Sequence, residues 1–596
     1  MFFPPDLRHL ILQAALAVMP LMCAAVDTVQ VSFAGTGKAM TLRGNGLLNS
    51  LEPEYIQTPS ALIDPLKVTL FRDPFRGNVN LVATSARAAA RGAKFEVVMS
   101  HNFAYDPAAQ TFTAFRDAFA ARCLSAAQYV RDNNNGRVVQ WDVWNEADLF
   151  WPNTADPSGE YLATYKAGVD AIRSVDASAI IVGPSLADYG SDYNKVTMSQ
   201  FLDYTKLNNV LPNILSWHEF NFNSSGGSQF IVANVAAART LMTNKSVSIP
   251  AIGLNEMLGP SEQFNPGVLA HYFGNVERAG VEAGVHSTWQ EPSGAQNENG
   301  NVLAGLLTPD PRPLGSTDPD PRQRRSTWWM YERYARMTGE VGTVTVTTTV
   351  GKRENGIASK DTGVARLLLG RTTIANDGTV AVTFSNLDQV NGLIFNNKVR
   401  VLAELITDSG EAASAGPVTK INADYALSSN ALTLTLGTAS LPFGATDAYA
   451  ISMSVVPALP AWRTLHGLPA DGSEDFAIPA GDGVANVLKY AFNMAPNAGD
   501  LARPNVQVLP VNGIAGLPRS TVDAQGRLVI EFVRRKSASN PGITYSVETG
   551  GVLTSLLLLD LSAATVVSID MIWERVTVTD PVISDKRFGR VRVAIP

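Results

Sequence analysis

Between residues 41 and 290 the chain repeats one pattern eight times: a short apolar run and then, in most cases, a stretch with apolar residues at helical spacing. The runs are Thr41–Leu48, Lys67–Arg72, Lys94–Ser100, Val138–Trp144, Ala179–Ser185, Ile214–Phe220, Ile249–Met257 and Gly284–Gln290. Strands that alternate with helices pair in parallel, because a parallel neighbour needs a long crossover and the helix supplies it. Phe112, Phe115, Phe119, Cys123, Ala126 and Val130 mark the helix before the fourth run. Leu162, Tyr165, Val169 and Ile172 mark the one after it. Eight such units between residues 26 and 339 predict a (β/α)8 TIM barrel. A doubly wound open sheet is the competing arrangement. It would place a Gly-rich phosphate loop after the first strand, and Gly44-Asn45-Gly46 is too short for one.

The remaining length has to form further cores, because 596 residues exceed what one core serves. Val341–Val350, Val364–Leu369, Val380–Phe384, Lys398–Leu405, Leu432–Leu436 and Tyr449–Val455 read as strands separated by turn residues. They predict an antiparallel β-sandwich over 340–456, into which the early alternating run at 29–33 can pair. Pro457-Ala458-Leu459-Pro460 opens a linker with a short helix (457–500), and a further C-terminal β-rich module runs over 501–596. At the other end Arg8 and His9 precede an apolar run closed by Cys23-Ala24-Ala25, which predicts a signal peptide over 1–25 and a secreted or periplasmic protein. The run is interrupted by Gln13 and Pro20, which argues against a membrane span. A net charge of −7 with no basic stripe argues against nucleic acid as a partner. After export Cys123 would stand alone, on an apolar helix face, as a core residue rather than a nucleophile.

In a barrel the catalytic groups gather at the C-terminal ends of the strands. Those ends carry Arg72, His101, Asn145-Glu146, Asp188, His218-Glu219, Asn255-Glu256 and Trp289-Gln290-Glu291. A rim so polar on strands so apolar is more than a structural barrel requires. The fourth strand opens into the aromatic, proline-bearing loop Leu149-Phe150-Trp151-Pro152, so a rigidly held carboxyl stands next to stacking surface, the pairing that sugar chemistry uses.

Here the chain resembles the clan A glycoside hydrolases, retaining (β/α)8 enzymes with an Asn-Glu acid/base ending strand four and a nucleophilic Glu ending strand seven. The matching segments are Trp141-Asp142-Val143-Trp144-Asn145-Glu146 and Ile252-Gly253-Leu254-Asn255-Glu256-Met257, with Leu70-Phe71-Arg72, Ser216-Trp217-His218 and Ser287-Thr288-Trp289 in support. The layout is most similar to family 39, the β-xylosidase type, with agarase-like families as neighbours. The second Asn-Glu pair departs from the common pattern, and only the strand count decides which Glu is the acid.

The resemblance implies that Glu146 and Glu256 are catalytic, about 5–5.5 Å apart across a β-glycosidic bond and working by double displacement. Their mutual repulsion would raise the pKa of the acid, Glu146. Asn145 would bind the sugar 2-hydroxyl and Arg72 would keep Glu256 ionised. His218 would orient Glu256 or touch the sugar, Trp289 would floor the subsite by stacking, and His101 and Trp151 would form its walls. This chemistry needs a carbohydrate substrate and neither cofactor nor metal. Asp188, Glu219 and Glu291 replace an assigned carboxylate if a strand register slips, although Glu219 should alternate away from His218. In the third module Asp471–Asp475 and Gly481–Asn486 resemble calcium-binding tail loops, but Pro479-Ala480 stand where acidic ligands belong. The function reading of another class is a carbohydrate-binding or cell-surface protein on the same barrel without catalysis.

Overall fold

The computed structural model describes residues 27–596 except 53–55, 191–194, 221–229, 290–302, 348–353, 373–377, 396, 480, 495–507 and 571. The expected signal peptide and Glu291 therefore lie outside the described residues. A first strand, β1 (Asp27–Ser32), is followed by the eight expected runs in order. They form β2 (Gly46–Leu48), β3 (Leu70–Pro74), β4 (Lys94–Val98), β5 (Gln140–Asp142), β6 (Ile180–Leu186), β7 (Ile214–Glu219), β8 (Ala251–Met257) and β9 (Gly284–His286). These eight close into a parallel barrel, with β2 pairing to both β3 and β9.

Alternation along each strand divides the labour. On β4 and β5 the residues Phe95, Val97 and Trp141 pack outward into the core shared with the helices, while Glu96 and Asp142 meet inside the barrel. The Phe112–Asn133 helix contributes Phe115, Phe119 and Cys123 to that outer core. Burial pushes the Cys123 thiol up to about 12, so it packs as a small hydrophobe. Two bulges interrupt the alternation. Against β7, β6 steps from Pro184 to Leu186 and inserts Ser185, and β8 steps from Leu254 to Glu256 and inserts Asn255. An inserted residue re-aims the side chains on either side of it.

The sandwich is built from β1 together with β10 (Glu340–Thr347), β11 (Glu354–Asp361), β12 (Val364–Arg371), β13 (Val380–Ser385), β14 (Lys398–Ile406), β15 (Val418–Ala426), β16 (Leu432–Leu436) and β17 (Ala448–Ser454). β1 lies between β10 and β13, so the strand that precedes the barrel in sequence belongs to the sandwich in space. β10 joins the two layers, pairing with β11 through Glu340–Gly342 and with β1 beyond. Val29, Val31, Val382, Phe384, Leu367, Leu369, Val401 and Ile451 share the buried core between the layers.

The third module consists of β18 (Arg519–Val522), β19 (Arg527–Arg535), β20 (Thr544–Val552), β21 (Ser555–Leu558), β22 (Thr565–Ser568), β23 (Trp573–Ile583) and β24 (Phe588–Ala594). They form sheets ordered β18-β19-β23-β22 and β21-β20-β24. The segment expected as a linker is part of this module. The Ala458–Leu465 helix and the Asn486–Ala491 helix place Leu459, Val487, Tyr490 and Phe492 in one core with Ile530, Phe532 and Val576. Its acidic loops are taken up by cations: Asp475 pairs with Arg463, and Asp482 sits 2.7 Å from Lys489. Among the described residues no helix is long and apolar enough to cross a membrane.

Barrel and sandwich meet at the Pro266–Ala279 helix, which is buried over nearly its whole length. Gly267 and Gly370 let the two backbones touch: a Cβ on Gly267 would stand 2.0 Å from the Arg371 carbonyl, and one on Gly370 would stand 2.0 Å from the Gly267 carbonyl. Only backbone lies there, so no side chain can give way. Gly267→Ala should destabilise the protein by about 1–3 kcal/mol. The control Gly378→Ala, with nothing within 4 Å of its Cβ, should leave the calorimetric midpoint unchanged.

Candidate active site

Arg72 leaves β3 into the barrel interior, where it is 1 % exposed. Burial of a guanidinium is costly unless opposite charge and acceptors surround it. Here they do. Nε donates to Glu96 Oε1 at 3.0 Å, and Nη2 donates to Asp142 Oδ2 and Asn145 Oδ1, both at 2.6 Å. Nη1 donates to Glu256 Oε1 at 2.7 Å. Burial works against the charge, but Asp142, Glu256 and Glu96 outweigh it, and the Arg72 pKa lies above its ordinary value. One planar fork thus ties together β3, β4, β8 and both sides of the β5 end.

Beneath this fork the two bulge residues complete the network. Asn255 donates to Glu96 Oε1 at 3.0 Å and to Ser185 Oγ at 3.0 Å, and the Ser185 hydroxyl donates to Asp142 Oδ1 at 2.8 Å. Glu96 is fully enclosed, and burial, helped by the Asp142 charge, pushes its carboxyl up to about 7. The two Asn-Glu pairs therefore do different work. Asn255 faces down into the network, whereas Asn145 stays at the rim. The Asn145 amide accepts from Arg72 and donates to Glu146 Oε2 at 3.2 Å.

Glu146 follows β5 with its backbone in the left-handed region (φ 53°), where non-glycine residues are uncommon. Its N–H donates to the Ser185 carbonyl at 2.8 Å, and the N–H of Asn145 donates to Ser100 Oγ at 3.0 Å, so neighbouring strands hold the strained turn. The turn brings the Glu146 carboxyl to His218 on β7. The imidazole is fully buried, with Nδ1 3.0 Å from Glu146 Oε1 and Nε2 3.9 Å from Glu256 Oε1. One ring thus lies between the two carboxyl groups, and its closer partner is Glu146 rather than the expected Glu256. Burial lowers the His218 pKa to about 4, with Glu256 opposing and Arg72 reinforcing the shift, so the ring is neutral at pH 7. Burial raises Glu146 to about 7, against the pull of Arg72 and the Asn145 amide. The raised value expected from repulsion between the two glutamates has desolvation as its main cause.

Trp289 holds its place at the rim. Its indole N–H donates to the Leu258 carbonyl at 2.8 Å, and its ring packs edge-on against Phe220, which in turn meets His218. The structure takes one expected wall residue, Trp151, out of the cleft. Trp151 is 1 % exposed and packs among Tyr105, Phe115, Trp144 and Tyr161, so it has no face to offer a sugar and is a core residue. Burial, reinforced by Arg76 and Arg122, lowers the His101 pKa to about 4, and its carbonyl accepts from Arg122. Glu219 turns outward as alternation requires and accepts from Trp217 Nε1 at 2.7 Å and Asn234 Nδ2 at 2.9 Å. Asp188 is half-buried, and its carboxyl is raised by burial. No cluster of His, Cys, Asp and Glu suited to a metal ion occurs among the described residues.

No family model and no curated protein matches the chain. Solved structures do. The structure of N2152 from Neocallimastix frontalis is 22% identical with a TM-score of 0.58, over 72% of this chain and 99% of that one. The GH39 enzyme from Xanthomonas axonopodis pv. citri is 11% identical with a TM-score of 0.49, over 74% and 100%. A monomeric beta-xylosidase from Caulobacter crescentus CB15 is 12% identical with a TM-score of 0.48, over 72% and 99%. The likeness to N2152 is one of fold.

Removing the guanidinium alone would leave two buried carboxyl groups, Glu96 and Asp142, facing each other and the half-buried Glu256. Arg72→Met should therefore cost about 3–5 kcal/mol of stability. Adding Glu96→Gln and Asp142→Asn should restore part of it, because the loss comes from uncompensated charge. Calorimetric midpoints of the three proteins check this; a triple variant no better than the single one would assign the loss to shape.

Proposed function

We propose that the chain is an exported retaining glycoside hydrolase acting on β-linked oligo- or polysaccharide, with Glu256 as nucleophile and Glu146 as acid/base. Export rests on the N-terminal apolar run over 1–25. The observation that carries the catalytic reading is the unequal footing of two carboxyl groups on either side of one imidazole. Glu256 is paired with a buried guanidinium, and Glu146 is raised to about 7 by burial.

The proton pattern follows from the neutral ring. A protonated Glu146 donates its O–H to His218 Nδ1, which leaves the ring proton on Nε2, pointing toward the Glu256 carboxylate. In the first step a Glu256 oxygen attacks the anomeric carbon as the glycosidic C–O bond breaks, and the Glu146 proton passes to the leaving oxygen. In the second step the Glu146 carboxylate takes a proton from water. The water oxygen attacks the same carbon, and the bond to Glu256 breaks. Two inversions leave the anomeric configuration as it began. Asn145, expected at the sugar 2-hydroxyl, would reach it while still oriented by Arg72, and Trp289 would supply the stacking surface.

Because Glu146 must enter the reaction protonated, kcat/KM on an aryl β-glycoside should fall as pH rises through about 7. Glu146→Ala should abolish that alkaline limb, cost about 10²–10⁴-fold on substrates with poor leaving groups and spare those with good ones. Glu256→Ala should be inactive on both while still folding, because Glu96 and Asp142 continue to hold Arg72. Wild-type turnover by Glu256→Ala, or an alkaline limb that survives Glu146→Ala, would overturn the assignment. Inactivity of the wild-type protein across a broad panel of plant and marine glycans would leave a carbohydrate-binding barrel.

A further inference from the structure

The Ser326–Ala335 helix and the residues that follow it face the sandwich. Alternation along the strands decides which side chains they meet. On β12 the residues Ala365, Leu367 and Leu369 enter the sandwich core, which turns Arg366 and Leu368 toward the barrel. On β17 Tyr449, Ile451 and Met453 face the sandwich core, which turns Ala450 and Ser452 the same way as Arg366. Cross-strand register sets Arg366 opposite Ser452, and Leu368 and Glu404 on either side of Ala450. Arg333 and Arg336 come down from the helix side, and the groups line a half-open pocket of about 130 Å³.

The charges there are unevenly satisfied. Arg333 holds Glu404 in a fork, Nε and Nη2 each at 2.9 Å from a carboxylate oxygen, and pairs with Glu332 through Nη1. Arg336 Nε donates to Glu332 Oε1 at 2.6 Å. Both carboxylates are therefore spoken for. Arg366 has only the field of Asp361, whose oxygens already accept from Thr338 Oγ1 and the N–H of Thr362. The Nη1 of Arg366 is buried and has no hydrogen-bond partner. An unpaired buried guanidinium N–H is costly, and a second cation, Arg336, adds repulsion. The cavity has room for about four waters, or for one tetrahedral oxyanion with water around it.

We propose that this cavity is an anion site, in which a small oxyanion such as sulfate or phosphate is held by Arg366 and Arg336, with the Ser452 hydroxyl as a further donor, and clamps the sandwich to the last helix of the barrel. An oxyanion offers the acceptors that Arg366 lacks, in the geometry a guanidinium fork recognises. The site shares no residue with Glu146, Glu256 or Arg72, so it stands or falls independently of the catalytic reading.

Sodium sulfate and sodium phosphate, each titrated into the full chain at fixed ionic strength made up with sodium chloride, test it. The wild-type midpoint should rise saturably, and calorimetric titration should show binding that weakens about tenfold or more in Arg366→Gln. Arg336→Gln, at a side chain that is 54% exposed and tolerant of change, should also weaken it and keeps the test open should Arg366→Gln fail to fold. Comparing the two salts identifies the preferred anion. An identical response in wild type and variants, which is a general salt effect, or no rise beyond sodium chloride, would overturn the proposal.

Discussion

One guanidinium inside the barrel determines how the rest of the site can stand. Arg72 arrives in the interior with a desolvation cost of several kcal/mol, which only close, well-directed carboxyl groups offset. Glu96, Asp142 and Glu256 do so from three other strands, and Asn145 accepts from the same fork. None of these groups could be buried there alone. The barrel is thus closed by hydrogen bonds along its strands and also cross-braced through its centre, and the brace ends on Glu256 and, through Asn145, on Glu146.

The same burial that makes the brace necessary tunes its ends. Glu146 stands beyond the guanidinium's direct reach and keeps its proton because water is excluded. His218, enclosed still further, is too weak a base to take that proton. Two like carboxyl groups thereby stand in unlike surroundings, which is what the proposed division into acid and nucleophile requires. Mutual repulsion, which the bare pair suggests as the cause, is not needed.

The fold could be read in the sequence because its signals are periodic. Eight apolar runs with helical spacing between them closed into the barrel in the order read, and the strand-end residues Arg72, Asn145, Glu146, His218 and Glu256 came together. What could not be read depends on register or on partners. Ser185 and Asn255 look like ordinary strand residues until a bulge turns them into the network. Glu96 and Asp142 sit among apolar neighbours, and nothing local shows that both face Arg72. β15 carries only a weak alternating signal, Ile421, Ala423 and Tyr425, because it is the exposed edge of its sheet. Trp151 followed a rim residue in sequence yet folded inward, where an aromatic cluster offered more burial than the cleft. The segment after Pro457 looked like a linker because proline, glycine and aspartate punctuate it, and only the third module's strands show what its apolar residues pack against.

The central claim is that Arg72 and Glu256 form the nucleophilic half of the site. A slow, activated 2-fluoro β-glycoside of whichever sugar the enzyme accepts tests it most directly, with the labelled protein digested and mapped by mass spectrometry. The account predicts one glycosyl group, carried on Glu256. A label on Glu146 or another carboxylate, or inactivation without a covalent adduct, would contradict it.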